Sequence, residues 1–219
     1  MALQNPNTAP TVGTPPENSF WPVSGSTDYR VPRGRSGRSI GALRGSGART
    51  HAGIDLFGKH RDTVLAITSG QIVSFYYFYR STFALFVDHG DFVVNYGEVE
   101  GESLEAFGLK TPRFKPGPGK PMLTVDSRGA SQYVVLAKQG SQVGAGQPIA
   151  RVGKMFRSSM LHIEFYAPGT LYNKQWTTPS GPPPSELKDG TEFMRTIAVR
   201  IKQGILPQKE ATPRAVVCR

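Results

Sequence analysis

The sequence predicts a mainly β protein, and three observations carry that expectation. Apolar residues fall in short runs rich in β-branched and aromatic side chains, which suit a pleated, half-buried surface. Gly (25) and Pro (18) are both plentiful, and they punctuate the chain between those runs. Finally, His89-Gly90-Asp91 separates two adjacent runs and reads as a tight hairpin turn, so neighbouring strands should run antiparallel.

The elements follow in order. Residues 1–19 are polar and rich in Pro, Thr and Asn, an extended arm. Phe20-Trp21-Pro22-Val23 opens the ordered body, and residues 24–49 form a Gly/Arg/Ser loop held against it in places. Strand patterns then run through IDLF, TVLAI, QIVSFYYFY, FALFVDHG and DFVVNYGEV. A Gly/Pro/Lys-rich stretch, 100–133, interrupts them with Lys115-Pro-Gly-Pro-Gly-Lys-Pro121, long for a connection inside a compact domain. Strand character resumes at Tyr133–Ala137, continues through a glycine turn and short strand over Val143–Gly153, and ends in Leu161–Tyr166. Beyond Gly169 the chain is Pro-rich; Ser185 is expected to cap a short helical turn through Leu187, and Thr191–Ile205 to form a helix. The expected division is an arm at 1–19, a domain at 20–172 carrying the long loop, and an extension at 173–219.

Composition narrows the function. No apolar stretch approaches the roughly 20 residues of a membrane span, and the N-terminus shows no cleavable signal pattern. Cys218, the single cysteine, makes neither an internal disulfide nor a Cys-rich metal site. The 26 Lys+Arg against 16 Asp+Glu give a formal net charge of +10, which favours an acidic partner: an anionic wall polymer, nucleic acid or an acidic membrane surface. Arg30, Arg33, Arg35, Arg38, Arg44 and Arg49 gather before residue 50 without interleaved aromatics, so base-stacking platforms, and with them specific nucleic-acid readout, are not expected. His89 belongs to its turn and His60 to an exposed loop.

The chemistry sits in two segments, Thr50-His51-Ala52-Gly53-Ile54-Asp55-Leu56 and Met160-Leu161-His162-Ile163-Glu164-Phe165-Tyr166. His51, Asp55 and His162 supply two imidazoles and a carboxylate, a set suited to a zinc ion that keeps one coordination position open. Such an ion makes a nucleophile of water near neutral pH, which points to hydrolysis.

With these segments in view, the chain resembles the lysostaphin/LytM-type zinc endopeptidases, which cut peptides of bacterial peptidoglycan. Five landmarks carry the resemblance over about residues 20–170, in order: FWPV; HAGIDLF with the TVLAITSGQIV strands; VDHGDFVVNYGEV; QVGAGQPIARVG; and MLHIEFY. It implies an antiparallel β-sheet groove of the LytM/lysostaphin type (a duplicated hybrid motif) with extended termini, Zn2+ at its floor, and loops such as 24–49 and 100–133 as walls. His51, Asp55 and His162 match the family's metal ligands. Glu98 and Met160 stand where two further histidines are usual, and a thioether neither donates a hydrogen bond nor readily accepts a proton. Three roles are open to Glu98: general base and proton shuttle, fourth metal ligand closing the site, or solvent-facing bystander. Strand alternation puts Glu164 on the face of His162, where it either orients that ligand or is simply exposed. Arg44, Arg49, Lys154 and Arg157 flank the motifs, as surface charges or as partners for a substrate carboxylate or developing oxyanion.

The expected function is therefore a zinc-dependent endopeptidase acting on peptidoglycan stems or cross-bridges with Glu98 as catalytic base. A phage tail or contractile injection particle is the expected carrier to the cell wall. A catalytically inactive structural or wall-binding module is the competing expectation, and a basic nucleic-acid-associated protein the third.

Overall fold

The computed structural model describes residues 8–34, 36–78, 82–101, 123–125, 131–133, 141–155, 158–177 and 181–206. Thirteen strands and one helix lie among them: β1 (Leu43–Arg44), β2 (Arg49–Thr50), β3 (Ile54–Phe57), β4 (Thr63–Leu65), β5 (Gly70–Tyr77), β6 (Thr82–Asp88), β7 (Val93–Glu100), β8 (Leu123–Val125), β9 (Ser131–Tyr133), β10 (Gln142–Val143), β11 (Pro148–Arg151), β12 (Met160–Tyr166), β13 (Leu187–Lys188) and α1 (Thr191–Lys202). The protein is mainly antiparallel β. One seven-stranded sheet runs β10-β5-β6-β7-β12-β13, with β3 beside the first half of β12. Three two-stranded ladders accompany it, β1–β2, β4–β11 and β8–β9.

Alternation gives the main sheet two different faces. From β3, β7 and β12, the side chains of Ile54, Leu56, Val94, Tyr96, Leu161, Ile163 and Phe165 enter the larger apolar core. Each aliphatic or Phe side chain fully buried there contributes about 1.5–3 kcal/mol. A smaller cluster on the opposite face includes Tyr76, Phe86, Val93, Tyr166 and Trp176. The β6–β7 hairpin turns at Gly90, whose φ of +92° suits a residue without Cβ, while Asp88 Oδ1 accepts its N–H at 2.8 Å. His89 keeps to its turn, with Nδ1 3.0 Å from the Ser69 carbonyl and Nε2 3.1 Å from the Tyr96 hydroxyl.

That hydroxyl also accepts the Ile67 N–H at 2.8 Å, deep in the core. Tyr96→Phe would leave the Ile67 donor buried and unpaired, so it is expected to cost about 1–3 kcal/mol, measured by urea unfolding.

Helix α1 closes the larger core. Phe193, Met194, Ile197, Ala198 and Ile201 form its buried stripe, and Phe193 meets Phe92 and Phe165 at centroid distances of 5.1 and 5.3 Å. The described part of the N-terminal arm runs beside it: Val12 N–H donates to the Asp189 carbonyl at 3.0 Å, and Arg200 donates to the carbonyls of Pro15 and Pro16. Residues 185–187 differ from expectation. They turn and enter β13 instead of a helical turn, because β3 covers only part of one β12 edge and leaves Phe165 and Tyr166 free to pair with Lys188 and Leu187. The Gly/Arg/Ser segment is anchored at several points, among them the β1–β2 ladder and Tyr29, edge-on to Trp21 at 5.4 Å. Most of 100–133, the strand expected over 134–137, Arg35, Arg157 and Cys218 lie outside the described residues.

Candidate metal centre

The face opposite the larger core carries the polar group. In the antiparallel ladder of β3 and β12, Asp55 lies directly across from His162 and Phe57 from Met160. Because Ile54, Leu56, Leu161 and Ile163 point into the core, Asp55, Phe57, Met160, His162 and Glu164 project from the other face. His51 arrives on the connection between β2 and β3. Gly53 makes that connection possible: a Cβ there would lie 2.5 Å from the Ile163 carbonyl oxygen and 2.7 Å from His162 Cε1. Gly53→Ala is therefore expected to cost about 1–3 kcal/mol through overpacking, and to weaken metal uptake because the intruding carbon pushes on His162. Denaturant unfolding and zinc titration of one preparation measure both.

His51, Asp55 and His162 are buried and converge. His51 Nε2 lies 3.1 Å from His162 Nδ1 and 3.1 Å from Asp55 Oδ1, and the last two atoms are 2.8 Å apart. The atoms facing outward are held too. His51 Nδ1 is 2.9 Å from the Ser39 carbonyl, His162 Nε2 is 3.0 Å from Glu164 Oε1, and Asp55 Oδ2 accepts from Arg44 Nη2 at 2.7 Å. A carbonyl and a carboxylate can only accept, so each imidazole donates outward, and its inward nitrogen offers a lone pair to a metal once any proton there has left. Three lone-pair atoms aimed at one point repel unless a cation or proton lies among them. Their separations fall slightly below the about 3.3 Å spacing of ligands 2.0–2.1 Å from a tetrahedral ion, so the donor set fits a small divalent metal.

Electrostatics agree with that geometry. For Asp55, burial opposes ionisation, but hydrogen bonds from His162 and His51 overcome it and hold the carboxyl well below its usual range. Burial alone would discharge His162; the carboxylates of Glu164 and Asp55 outweigh it and raise its pKa. His51 is lowered, chiefly by burial.

Glu164 is fully engaged. Besides His162 it accepts from Asn95 Nδ2 at 2.6 Å and from the Tyr166 hydroxyl at 3.0 Å. Removing one such outer partner of a ligating histidine typically weakens metal binding 10- to 100-fold. Glu164→Gln is expected to fall in that range by competition against a chelator.

Glu98 reaches this face by a break in the ladder. Between β6 and β7, Phe83 pairs with Val99 and Leu85 with Tyr96, so two residues of β7 oppose one of β6. Glu98 occupies the bulge with φ +62°, a strained conformation for a residue other than glycine. The bulge returns Val99 to the core and frees Glu98 from the core face that alternation with Tyr96 would give it. Its carboxyl is buried, with Oε2 lacking any hydrogen-bond partner among the described residues. Burial pushes its pKa up to about 7, with Asp55 and Glu164 raising it and His162 and Arg44 lowering it.

Of the other flanking residues, Arg49 and Lys154 are exposed, whereas Arg44 is drawn in by Asp55. Met160 is half-buried beside Phe57, and exposed His60 pairs with Glu100 at 3.1 Å. Sequence inspection missed Ser39, Asn95, Tyr166 and Phe78, whose ring stacks on His162 at 5.7 Å. Alternation with His162 and Glu164 was a signal available for Tyr166; none marked a backbone carbonyl in a Gly/Ser-rich loop. Among the described residues, no helix is long and apolar enough to cross a membrane.

No family model matches the chain, and no curated protein matches it. Solved structures that align with the chain include peptidases. A zinc-containing peptidase from Vibrio cholerae aligns at 15% identity and TM-score 0.42, covering 75% of this chain and 38% of that one. Lysostaphin from Staphylococcus simulans aligns at 17% identity and TM-score 0.46, covering 82% of this chain and 56% of that one. LytU aligns at 15% identity and TM-score 0.48, covering 83% of this chain and 96% of that one. The chain thus spans well under two thirds of the first two.

Proposed function

We infer that the protein is a zinc-dependent endopeptidase acting on the peptide stems or cross-bridges of bacterial peptidoglycan. The observation that carries this is the buried Glu98 carboxylate oxygen, without a hydrogen-bond partner among the described residues, on a strained bulge electrostatically coupled to Asp55 and His162. A structural metal site needs no such group, whereas a hydrolytic one needs a base whose pKa lies near the working pH. His51, Asp55 and His162 would hold the zinc, with Ser39, Glu164 and Arg44 fixing the three ligands. A zinc ion held there would bring the pKa of a water near neutrality and polarise a carbonyl. Glu98 takes the proton of the attacking water and returns it to the leaving amine. A formal net charge of +10 suits an anionic cell wall. The proposal extends to delivery on a phage tail or injection particle, which co-purification with such a particle tests.

Soluble peptide release from purified peptidoglycan, measured with zinc content, tests the activity. One bound zinc with release is expected. One bound zinc without release, on walls of several chemistries, would leave a wall-binding module that retains the metal group.

A further inference from the structure

Arg38 stands at the edge of the metal-ligating group, without a carboxylate partner among the described residues. Its carbonyl accepts the Asp55 N–H at 2.9 Å, and the next carbonyl, Ser39, is the one that holds His51. The side chain leaves along β3, with Cζ 4.5 Å from the ring centroid of Phe57. Phe57 lies two residues beyond Asp55 on the same face and directly across from Met160. Arg30 also lies over that ring, 4.6 Å from the centroid, but Asp28 binds its guanidinium through two contacts of 2.6 and 2.8 Å. Arg44 is likewise committed, to Asp55. Arg38 has no carboxylate among the described residues, and its Nη1 is buried with no hydrogen-bond partner.

Two guanidinium groups on one ring repel, and among the described residues Arg30 alone of the two has a carboxylate partner. A buried charged donor without a partner is costly, and the ligand that satisfies it best is a carboxylate, which meets the planar fork of a guanidinium. The position suits a peptide. Phe57 lies two positions beyond Asp55 on β3, a span of roughly 7 Å, or about two residues of an extended substrate lying along the strand.

We propose that Arg38, on the platform of Phe57 and Met160, is a carboxylate-binding subsite that selects peptides with a free carboxylate within about two residues of the bond held at the metal group. This rests on the endopeptidase function inferred above. It makes substrates with free acidic groups preferred over the same peptides with those groups amidated, a distinction the metal ligands cannot make.

The test is binding by calorimetry to zinc-loaded protein in a Glu98→Gln background. The probes are a synthetic stem peptide with its carboxylates free and the same peptide fully amidated. With Arg38 present, the amidated peptide is expected to bind about tenfold more weakly, the worth of one charge-assisted contact. Arg38→Gln should bind both peptides equally and weakly, with zinc content unchanged. Arg38→Lys should retain part of the preference. Equal affinities with Arg38 present, a preference that survives Arg38→Gln, or no binding of either peptide would each overturn the subsite. Hydrolysis by the protein with Glu98 intact separates this from the function it rests on. Hydrolysis without carboxylate preference removes the subsite alone, and preference without hydrolysis removes the enzymatic function alone.

Discussion

His162→Ala is expected to abolish stoichiometric zinc binding and, with it, all peptide release from peptidoglycan. The residue is central to the group: its Nδ1 lies within 3.1 Å of both other donor atoms, and its Nε2 is the link to Glu164. Loss of the ring removes a ligand and leaves Glu164 buried without its cationic partner. Breaking a buried pair in this way costs about 3–5 kcal/mol, so the variant should also unfold at lower denaturant. His51→Ala provides the milder control, because among the described residues the hydrogen bond its ring makes outside the group goes to an uncharged partner, the Ser39 carbonyl. Zinc at a thousandfold its Kd stabilises a protein by about 4 kcal/mol. The wild type should therefore gain thermal stability on zinc addition and neither variant should. A zinc-dependent gain of wild-type size in His51→Ala would remove that residue from the ligand set. The pH dependence has a definite sign. Glu164 and Asp55 raise the pKa of His162 in the metal-free chain, and a ligating imidazole nitrogen must give up its proton. Zinc uptake should therefore release protons and weaken as pH falls, which titration in buffers of different ionisation enthalpy measures.

Much of this was legible in the chain, and the parts that were not share a cause. Strands β3, β5, β6, β7 and β12 announce themselves because local composition and alternation agree with their final burial. The Gly-containing turn at Gly90 marks its hairpin for the same reason. His51, Asp55 and His162 could be grouped because two short motifs carry them. What stayed hidden depends on contacts between distant segments. Strand β13 exists only because β12 leaves an edge free beyond β3. Arg44 looks like one more arginine of a basic loop until Asp55 claims it across eleven residues. The bulge at Glu98 is invisible in Tyr96-Gly97-Glu98-Val99, since glycine and not glutamate is the residue expected to take positive φ there. A local rule broken at a buried residue is where function is expected to have intervened.

That broken rule gives the second large effect: Glu98→Gln should keep the zinc and lose most turnover. General acid–base groups contribute about 10²–10⁴-fold, so kcat should drop by that order. The amide matches the carboxylate in size and keeps the bulge, so zinc content and KM should stay near wild type. A fourth metal ligand would behave differently, because the substitution would then weaken zinc binding. Full activity in the variant would end the assignment of Glu98 as base. The pH profile adds an independent check. Burial pushes the carboxyl up to about 7 in the folded chain from a reference of 4.5, so kcat/KM should rise with pH towards neutrality, with the midpoint lowered where a cation is bound. Stability should move the opposite way. Between about 4.5 and about 7 the folded state binds more protons at this site than the unfolded state. The contribution is thus fully present below the unfolded value and is lost as pH rises through the folded one. For the chelator-treated wild type the loss is on the order of 3 kcal/mol by pH 8. Gln cannot ionise, so chelator-treated Glu98→Gln should lack this decline and exceed the wild type in stability above pH 7. Parallel urea midpoints for the two proteins across pH 5–8 would place Glu98 in solvent. Divergence towards alkaline pH would show the buried, uncompensated carboxylate that a general base requires.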